Sequence, residues 1–269
     1  MKDFHGRVAV ITGAGSGIGR ALAMALRAEG CDLALVDVNA ARLREVQAEI
    51  GPTRASIHVA DVADRTRMAS LAEEVMTQHD RVDILVNNAG VSVAADFEDH
   101  SLEDFDWIVG INLFGVVHGC KFFLPHIKRS DDAYIVNLSS MFGLIGVPGQ
   151  TSYCATKFAV RGFSEALAAE LSDTKVRVMS VHPGGIRTNI VRDSRFVARM
   201  ASRQSKIIDM FERRAMLPER CAALIVGAMK RRKSRLLVAP EAHAADLLKR
   251  LFPSLPQRWI ASARKALLK

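Results

Sequence analysis

The chain has 269 residues, 49% of them apolar and 25% charged, with a formal net charge of +8, enough to bury a large core in one α/β domain. No apolar run reaches the roughly 18–20 residues of a membrane span, and Cys31, Cys120, Cys154 and Cys221 show neither metal-ligand spacing nor disulfide clustering. A membrane anchor, a metal centre and a disulfide scaffold are therefore not expected, and with no signal-peptide pattern in Met1–Gly6 the expected location is cytoplasmic.

In chain order, Arg7–Ile11 predicts a short strand, followed by Thr12-Gly13-Ala14-Gly15-Ser16-Gly17-Ile18-Gly19 and then a helical run with Ala21, Leu22, Ala25 and Leu26 on one face. A Gly-rich turn between strand and helix lets backbone N–H groups and the helix dipole meet a pyrophosphate. The spacing is T-G-x-x-x-G-x-G on Gly13, Gly17 and Gly19, with Ile18 where G-x-G-x-x-G would place glycine. No Gly-Lys-Ser/Thr follows, which argues against a nucleoside-triphosphate loop. A second strand, Asp32–Val36, ends at Asp37. A carboxylate about 20 residues past the glycines is placed to accept from adenosine ribose hydroxyls and to repel a 2′-phosphate, favouring NAD over NADP. Arg20 or Arg42 within reach of a phosphate keeps NADP open.

The alternation continues with a strand at Ser56–Val59 leading to Asp61 and Val62, a helix at Arg65–Gln78, and a strand at Asp83–Val86 running into Asn87-Asn88-Ala89-Gly90. A long helix is expected from about Leu102 to Ile127, containing Asn112. Ala133–Leu138 reads as a buried strand ending near Ser140, and the helix carrying Tyr153 follows. Val176–Val181 leads into Pro183-Gly184-Gly185-Ile186-Arg187-Thr188, and Pro218–Arg231 and Arg235–Val238 give a last helix and strand. This rhythm implies a single-domain Rossmann-type doubly wound parallel sheet of about seven strands, with helices on both faces. The expected organisation is a dinucleotide-binding and catalytic domain over residues 1–240, with a substrate lid at about 189–215. A C-terminal amphipathic helical extension over 241–269 follows.

Tyr153 and Lys157 stand four apart at the head of an amphipathic run and share a helix face. A phenol with its ordinary pKa of about 10 is a poor base at neutral pH. A cation within about 4–6 Å can lower that value by roughly 1–3 units, giving an acid/base device for an alcohol or carbonyl. The same spacing also serves an ordinary helix pair. Ser140, at the strand end, is placed to hold the reacting oxygen.

Together these motifs resemble the short-chain dehydrogenase/reductase family over about residues 5–240. The likeness rests on T-G-A-G-S-G-I-G at 12–19, N-N-A-G at 87–90, Asn112, Ser140, Y-C-A-T-K at 153–157 and P-G-G-I-R-T at 183–188. The resemblance implies hydride transfer to or from a nicotinamide, with Tyr153 as general acid/base, Lys157 lowering its pKa and binding the nicotinamide ribose, and Ser140 on the substrate oxygen. It implies that Asn112 anchors a water in a proton relay. Gly13, Ser16, Gly17, Ile18 and Gly19 would hold the adenosine and diphosphate end, and Asp37 the adenosine ribose. Asp61 and Val62 would flank the adenine, Asn88 and Gly90 would line the middle, and Ile186 and Thr188 would fix the carboxamide. Structural alternatives stand beside these roles: Asp61 as a helix cap, Asn87 and Asn88 as bridges between strands, Asn112 as a helix hydrogen-bonder.

Met141, Phe142, Val147 and Gly185 mark an apolar substrate pocket, suited to a secondary alcohol or ketone with a hydrophobic body. Gly115 and Gly119 beside Trp107, Phe114, Phe122 and Phe123, with the Tyr153 helix, resemble the family's subunit face, so a homodimer or homotetramer is expected. From Arg187 onward there are 20 Lys/Arg against 6 Asp/Glu. That basic third, with lid residues such as Arg199, Arg203 and Lys206 and a basic amphipathic run at Gln257–Lys269, admits peripheral membrane contact. It also leaves a non-enzymatic alternative, a nucleotide-sensing binding protein. No base-reading element is present, so no nucleic-acid partner is expected.

Overall fold

The computed structural model describes residues 1, 3–197 and 215–254. Strand β1 (Val8–Thr12) is buried along its whole length, as is β4 (Ile84–Asn87). Continuous burial of this kind marks parallel strands covered on both faces. The remaining strands of the main sheet are β2 (Asp32–Asp37), β3 (Ala55–Val59), β6 (Ala133–Leu138), β7 (Val176–Pro183) and β9 (Arg235–Val238). They lie in the order β3-β2-β1-β4-β6-β7-β9, every pairing parallel. A two-stranded parallel pair, β5 (Val93–Ala94) and β8 (Arg195–Phe196), sits apart. The expected doubly wound sheet of seven strands is present.

Successive strand side chains point to opposite faces, which produces two cores. Ala9, Ile11, Leu33 and Leu35 pack with α1 (Gly17–Ala28), α2 (Ala40–Ile50) and α7 (Pro218–Lys230). Val10, Ala34, Val36 and Leu85 pack with α3 (Arg65–His79), α5 (Gly115–Ile127) and α6 (Thr151–Glu170). Side-chain caps close several helix starts, Asp64 accepting from Arg67 N–H before α3 and Ser101 from Asp104 N–H before α4 (Leu102–Val109). The last described helix, α8 (Pro240–Leu251), is tied to β9 through Asp246 and Arg235.

Two sequence expectations are corrected. The stretch Leu102–Ile127 is, by length and composition, apolar enough to cross a membrane; here Ile108, Val116, Phe123 and Ile127 are buried within the fold. The expected long helix is present, with a π-helical turn at Gly110–Phe114 joining α4 to α5. Second, Gly115 and Gly119 face inward rather than toward a subunit partner. A Cβ at Gly115 would lie 2.5 Å from Val62 Cγ2, and one at Gly119 would lie 2.1 Å from Asn87 Oδ1. Their smallness lets α5 press against the sheet, with Phe123 buried alongside. Residues 198–214 of the expected lid and the Gln257–Lys269 run lie outside the described residues.

Candidate active site

The carboxyl ends of the strands open into a cavity of about 760 Å³, within the range of small-molecule and cofactor sites. At one end β1 turns into α1. Gly17 starts the helix at φ +53, in the left-handed region that glycine adopts without penalty. Ser16, the N-cap, is extended, and its side chain takes none of the first-turn N–H groups. Those N–H groups are thus left for an anion drawn to the positive end of the helix. Asp37, at the end of β2, accepts from Gly15 N–H at 2.9 Å and Asn39 N–H at 3.0 Å, fixing its carboxylate at the cavity edge. Asp61, Val62, Asn88 and Gly90 continue the wall. A bound dinucleotide fits this set, with a carboxylate at one end and a glycine-lined turn on a helix N-terminus beside it.

At the other end Ser140, Tyr153 and Lys157 line the same cavity. Lys157 is 4% exposed; its ammonium donates to the Leu138 carbonyl at 2.8 Å and lies 5.6 Å from the centre of the Tyr153 ring. Ser139 Oγ donates to the backbone carbonyl of Lys157 at 2.8 Å, locking the helix turn that carries the amine. Phe142 meets the Tyr153 ring edge-on at 6.0 Å. Burial pushes the part-buried phenol up to about 12, with hydrogen bonding to Ser140 pulling the other way. Burial also pulls the Lys157 ammonium down to about 8. In this geometry burial therefore outweighs any lowering of the phenol by its neighbours. Spacing on a helix brings the two side chains together, but desolvation penalises the charged form of each.

The family model described as short chain dehydrogenase matches residues 7–196. The chain belongs to that family. A protein of Mycobacterium tuberculosis named as oxidoreductase SadH is 42% identical over 270 residues, covering 97% of this chain and 96% of its own. Among solved structures, a short chain dehydrogenase/reductase of Burkholderia phymatum in complex with NAD superposes with a TM-score of 0.88 at 27% identity. That match covers 95% of this chain and 97% of the other. The 3-ketoacyl-(acyl-carrier-protein) reductase of Brucella melitensis complexed with NADH gives a TM-score of 0.77 at 29% identity, covering 88% and 98%.

In this short-chain dehydrogenase the expected residues converge, with two exceptions. Gly13, Ser16, Gly17, Ile18, Ile186 and Thr188 line the cavity, as do Met141, Phe142, Val147 and Gly185. Gly19 does not. It is buried in the first turn of α1, where a Cβ would lie 2.1 Å from the Gly13 carbonyl oxygen. Its place is set by the packing of helix on turn. Asn112 is fully buried in the π-helical turn, accepting from Val91 N–H at 2.8 Å and donating to Val91 C=O at 2.9 Å and Thr156 Oγ1 at 3.3 Å. That side chain clamps the strand-end segment after Gly90. Asn88 does bridge, donating to the Thr12 and Gly13 carbonyls, and Asn87 joins Asn137 across β4 and β6 at 2.8 Å. Asp61 accepts from Ala63 N–H, while the cap of α3 falls to Asp64.

Sequence reasoning missed Ser139, Gln150 and Phe196. Ser139 had a usable signal as the neighbour of Ser140. Gln150 donates to Val93 C=O and accepts from Ser92 Oγ, and Phe196 arrives on β8; neither position carries a local pattern.

Proposed function

We propose that this short-chain dehydrogenase oxidises a hydrophobic secondary alcohol, or reduces the matching ketone, with NAD as cofactor and Tyr153 as general acid/base. The observation that carries the reading is one cavity joining the Gly-rich turn and Asp37 at one end to Ser140, Tyr153 and Lys157 at the other. The nicotinamide, when bound, supplies the hydride chemistry; the protein orients it and handles the proton. Ser140 holds the reacting oxygen beside the phenol, and Tyr153 takes up or returns its proton. Lys157, held by the Leu138 carbonyl, places positive charge next to the forming phenolate and offers a donor to the nicotinamide ribose.

Three features support the finer choices. The fixed carboxylate of Asp37 would oppose a 2′-phosphate. The two cations named above for such a phosphate face carboxylates, Arg20 with Glu49 at 2.6 Å and Arg42 with Asp193 at 3.9 Å. The cavity lining includes Met141, Phe142, Val147, Ile190 and Phe196, with Phe142 against Tyr153, which suits an uncharged hydrophobic body. The exposed apolar side chains Leu102, Phe114 and Phe158 on these helices support a homodimer or homotetramer through α4–α5 and α6.

Parallel titrations with NAD and NADP, and a panel of hydrophobic secondary alcohols and ketones followed by reduced-cofactor absorbance, test the reading. Tyr153→Phe is expected to bind NADH like the wild type while losing about 10²–10⁴-fold in turnover. Turnover within a few-fold of wild type in that variant, or a preference for NADP, would overturn the corresponding part.

A further inference from the structure

The segment Pro183–Thr188, from the last residue of β7 onward, contributes to one wall of the cavity, and its backbone is held by segments far along the chain. Gly184 N–H donates to Val238 C=O at 2.9 Å, Met216 N–H to Gly185 C=O at 2.8 Å, and Arg187 N–H to Met216 C=O at 2.8 Å. Gly185 N–H goes to a side chain instead: Oε1 of Glu241 accepts it at 2.9 Å. Glu241 is the second residue of α8, a helix beyond the family match, which ends at residue 196.

Two further features converge on this contact. A Cβ at Gly184 would lie 2.3 Å from Glu241 Oε1 and 2.7 Å from its Cδ, so the carboxylate reaches its place only because position 184 has no side chain. Ala239, which turns the chain from β9 into α8, adopts φ 77 and ψ 151, a region essentially reserved for glycine. A residue with a side chain stays in such a conformation only where its surroundings fix it, and such strain gathers at functional sites. Here it turns Pro240 and Glu241 back across the carboxyl end of β7.

We infer that Glu241 is a positioning residue for the nicotinamide end of the cofactor, acting through Gly185 on the 183–188 loop, and that α8 belongs to the scaffold of the site. The inference rests on the nicotinamide reading above. Glu241 acts on the loop backbone by a charge-assisted hydrogen bond. The adenosine end, at Gly15 and Asp37, has its own supports. Loss of the Glu241 carboxylate should therefore weaken a ligand that carries a nicotinamide and spare one that lacks it.

The test uses full-length protein and calorimetric titration with NADH and with ADP-ribose. Glu241→Ala is expected to weaken NADH by about five- to tenfold, the scale of one lost solvent-exposed hydrogen bond, and to leave ADP-ribose within about twofold. Glu241→Gln keeps an acceptor oxygen and should stay within about threefold of wild type for both ligands. Gly184→Ala should weaken NADH by displacing the carboxylate, and Gly184→Ala/Glu241→Ala should be no weaker than the worse single variant. Hydrogen exchange on the unliganded proteins gives a readout independent of binding: peptides spanning 184–188 should exchange faster in Glu241→Ala and at the wild-type rate in Glu241→Gln. Wild-type NADH affinity in Glu241→Ala, equal losses for both ligands, additive effects in the double variant, or unchanged exchange would overturn the inference and leave the proposed function standing. A wild type that binds ADP-ribose and NADH equally poorly would overturn both.

Discussion

Asn112 separates two accounts of the site. In one its side chain belongs to the proton path; in the other it is a clamp on the segment that follows Gly90. The geometry favours the clamp, since both ends of the amide are engaged with Val91 and Thr156. Asn112→Ala would strip partners from the Val91 N–H and C=O. Each buried group left unpaired costs about 1–3 kcal/mol, and because Val91 is only half-buried the sum falls at about 2–4 kcal/mol. For a chain of this size that corresponds to a melting temperature lower by roughly 4–16 °C. Differential scanning calorimetry on wild type and variant measures it, with NADH titration run beside it. A variant that melts within about 2 °C of wild type, yet turns over a hundredth as fast, would refute the clamp and return Asn112 to the chemistry.

Two further outcomes follow from buried charge. His182 donates from Nδ1 to the Ser140 carbonyl and faces Ser180 Oγ with Nε2, both at 3.2 Å, and burial pushes its imidazole down to about 4. The unfolded chain takes up that proton near the ordinary 6.5 while the folded chain resists until about 4. Stability is therefore untouched above pH 6.5 and falls progressively between 6.5 and 4, by up to about 3 kcal/mol. In urea midpoints at pH 7 and 4.5, His182→Asn should lose part of that slope, and an unchanged slope would refute the assignment. Asp83, buried at the opposite end of the sheet from the cavity, accepts from Arg81 Nε at 2.8 Å, Ser130 Oγ at 2.6 Å, Val8 N–H at 2.9 Å and Arg7 at 3.1 Å. Asp83→Ala should cost about 1–3 kcal/mol, chiefly from the buried Val8 N–H left unpaired, since Arg7 keeps Asp131 and Arg81 reaches solvent. NADH affinity of the folded fraction should be unchanged, and a matching loss of affinity would argue against the separation of the two ends.

How far the sequence could be read depended on whether the signal was local. The strand-turn-helix at 8–28 was legible because period, glycine spacing and a terminal carboxylate each express a backbone requirement. The doubly wound sheet followed from the alternation of such units. Tyr153 and Lys157 were placed together by helix geometry, but their electrostatics turn on how much protein surrounds them, which spacing does not encode. Gly115 and Gly119 were misread for a related reason. Small residues four apart mark a close approach, and only the tertiary structure says whether the approaching surface is a subunit or Val62 and Asn87. Gly19 completes the motif, and the tertiary structure adds a packing reason for it, since its Cβ position is filled by the turn itself. The π-helical turn at Asn112 and the Glu241–Gly185 contact, 56 residues apart in the chain, carry no pattern in any window.

Part of the charge asymmetry is paired within the described residues. Several cations of the basic last third reach back to carboxylates of the acidic first part: Arg195 to Asp104, Lys230 to Glu29 and Arg232 to Asp132. Arg195 also stacks on Trp107 with its guanidinium carbon 3.6 Å from the ring centre. Exposed pairs of this kind are each worth about 0–1 kcal/mol, so their weight lies in placement rather than stability. Opposite charges separated along the sequence are interleaved by the parallel sheet, which brings residues after 187 onto elements laid down before 133. These three described cations face carboxylates of their own chain. A binding protein built on that basic third would leave the buried amine and phenol beside Ser140 without a purpose, which is why the enzymatic reading is the stronger of the two.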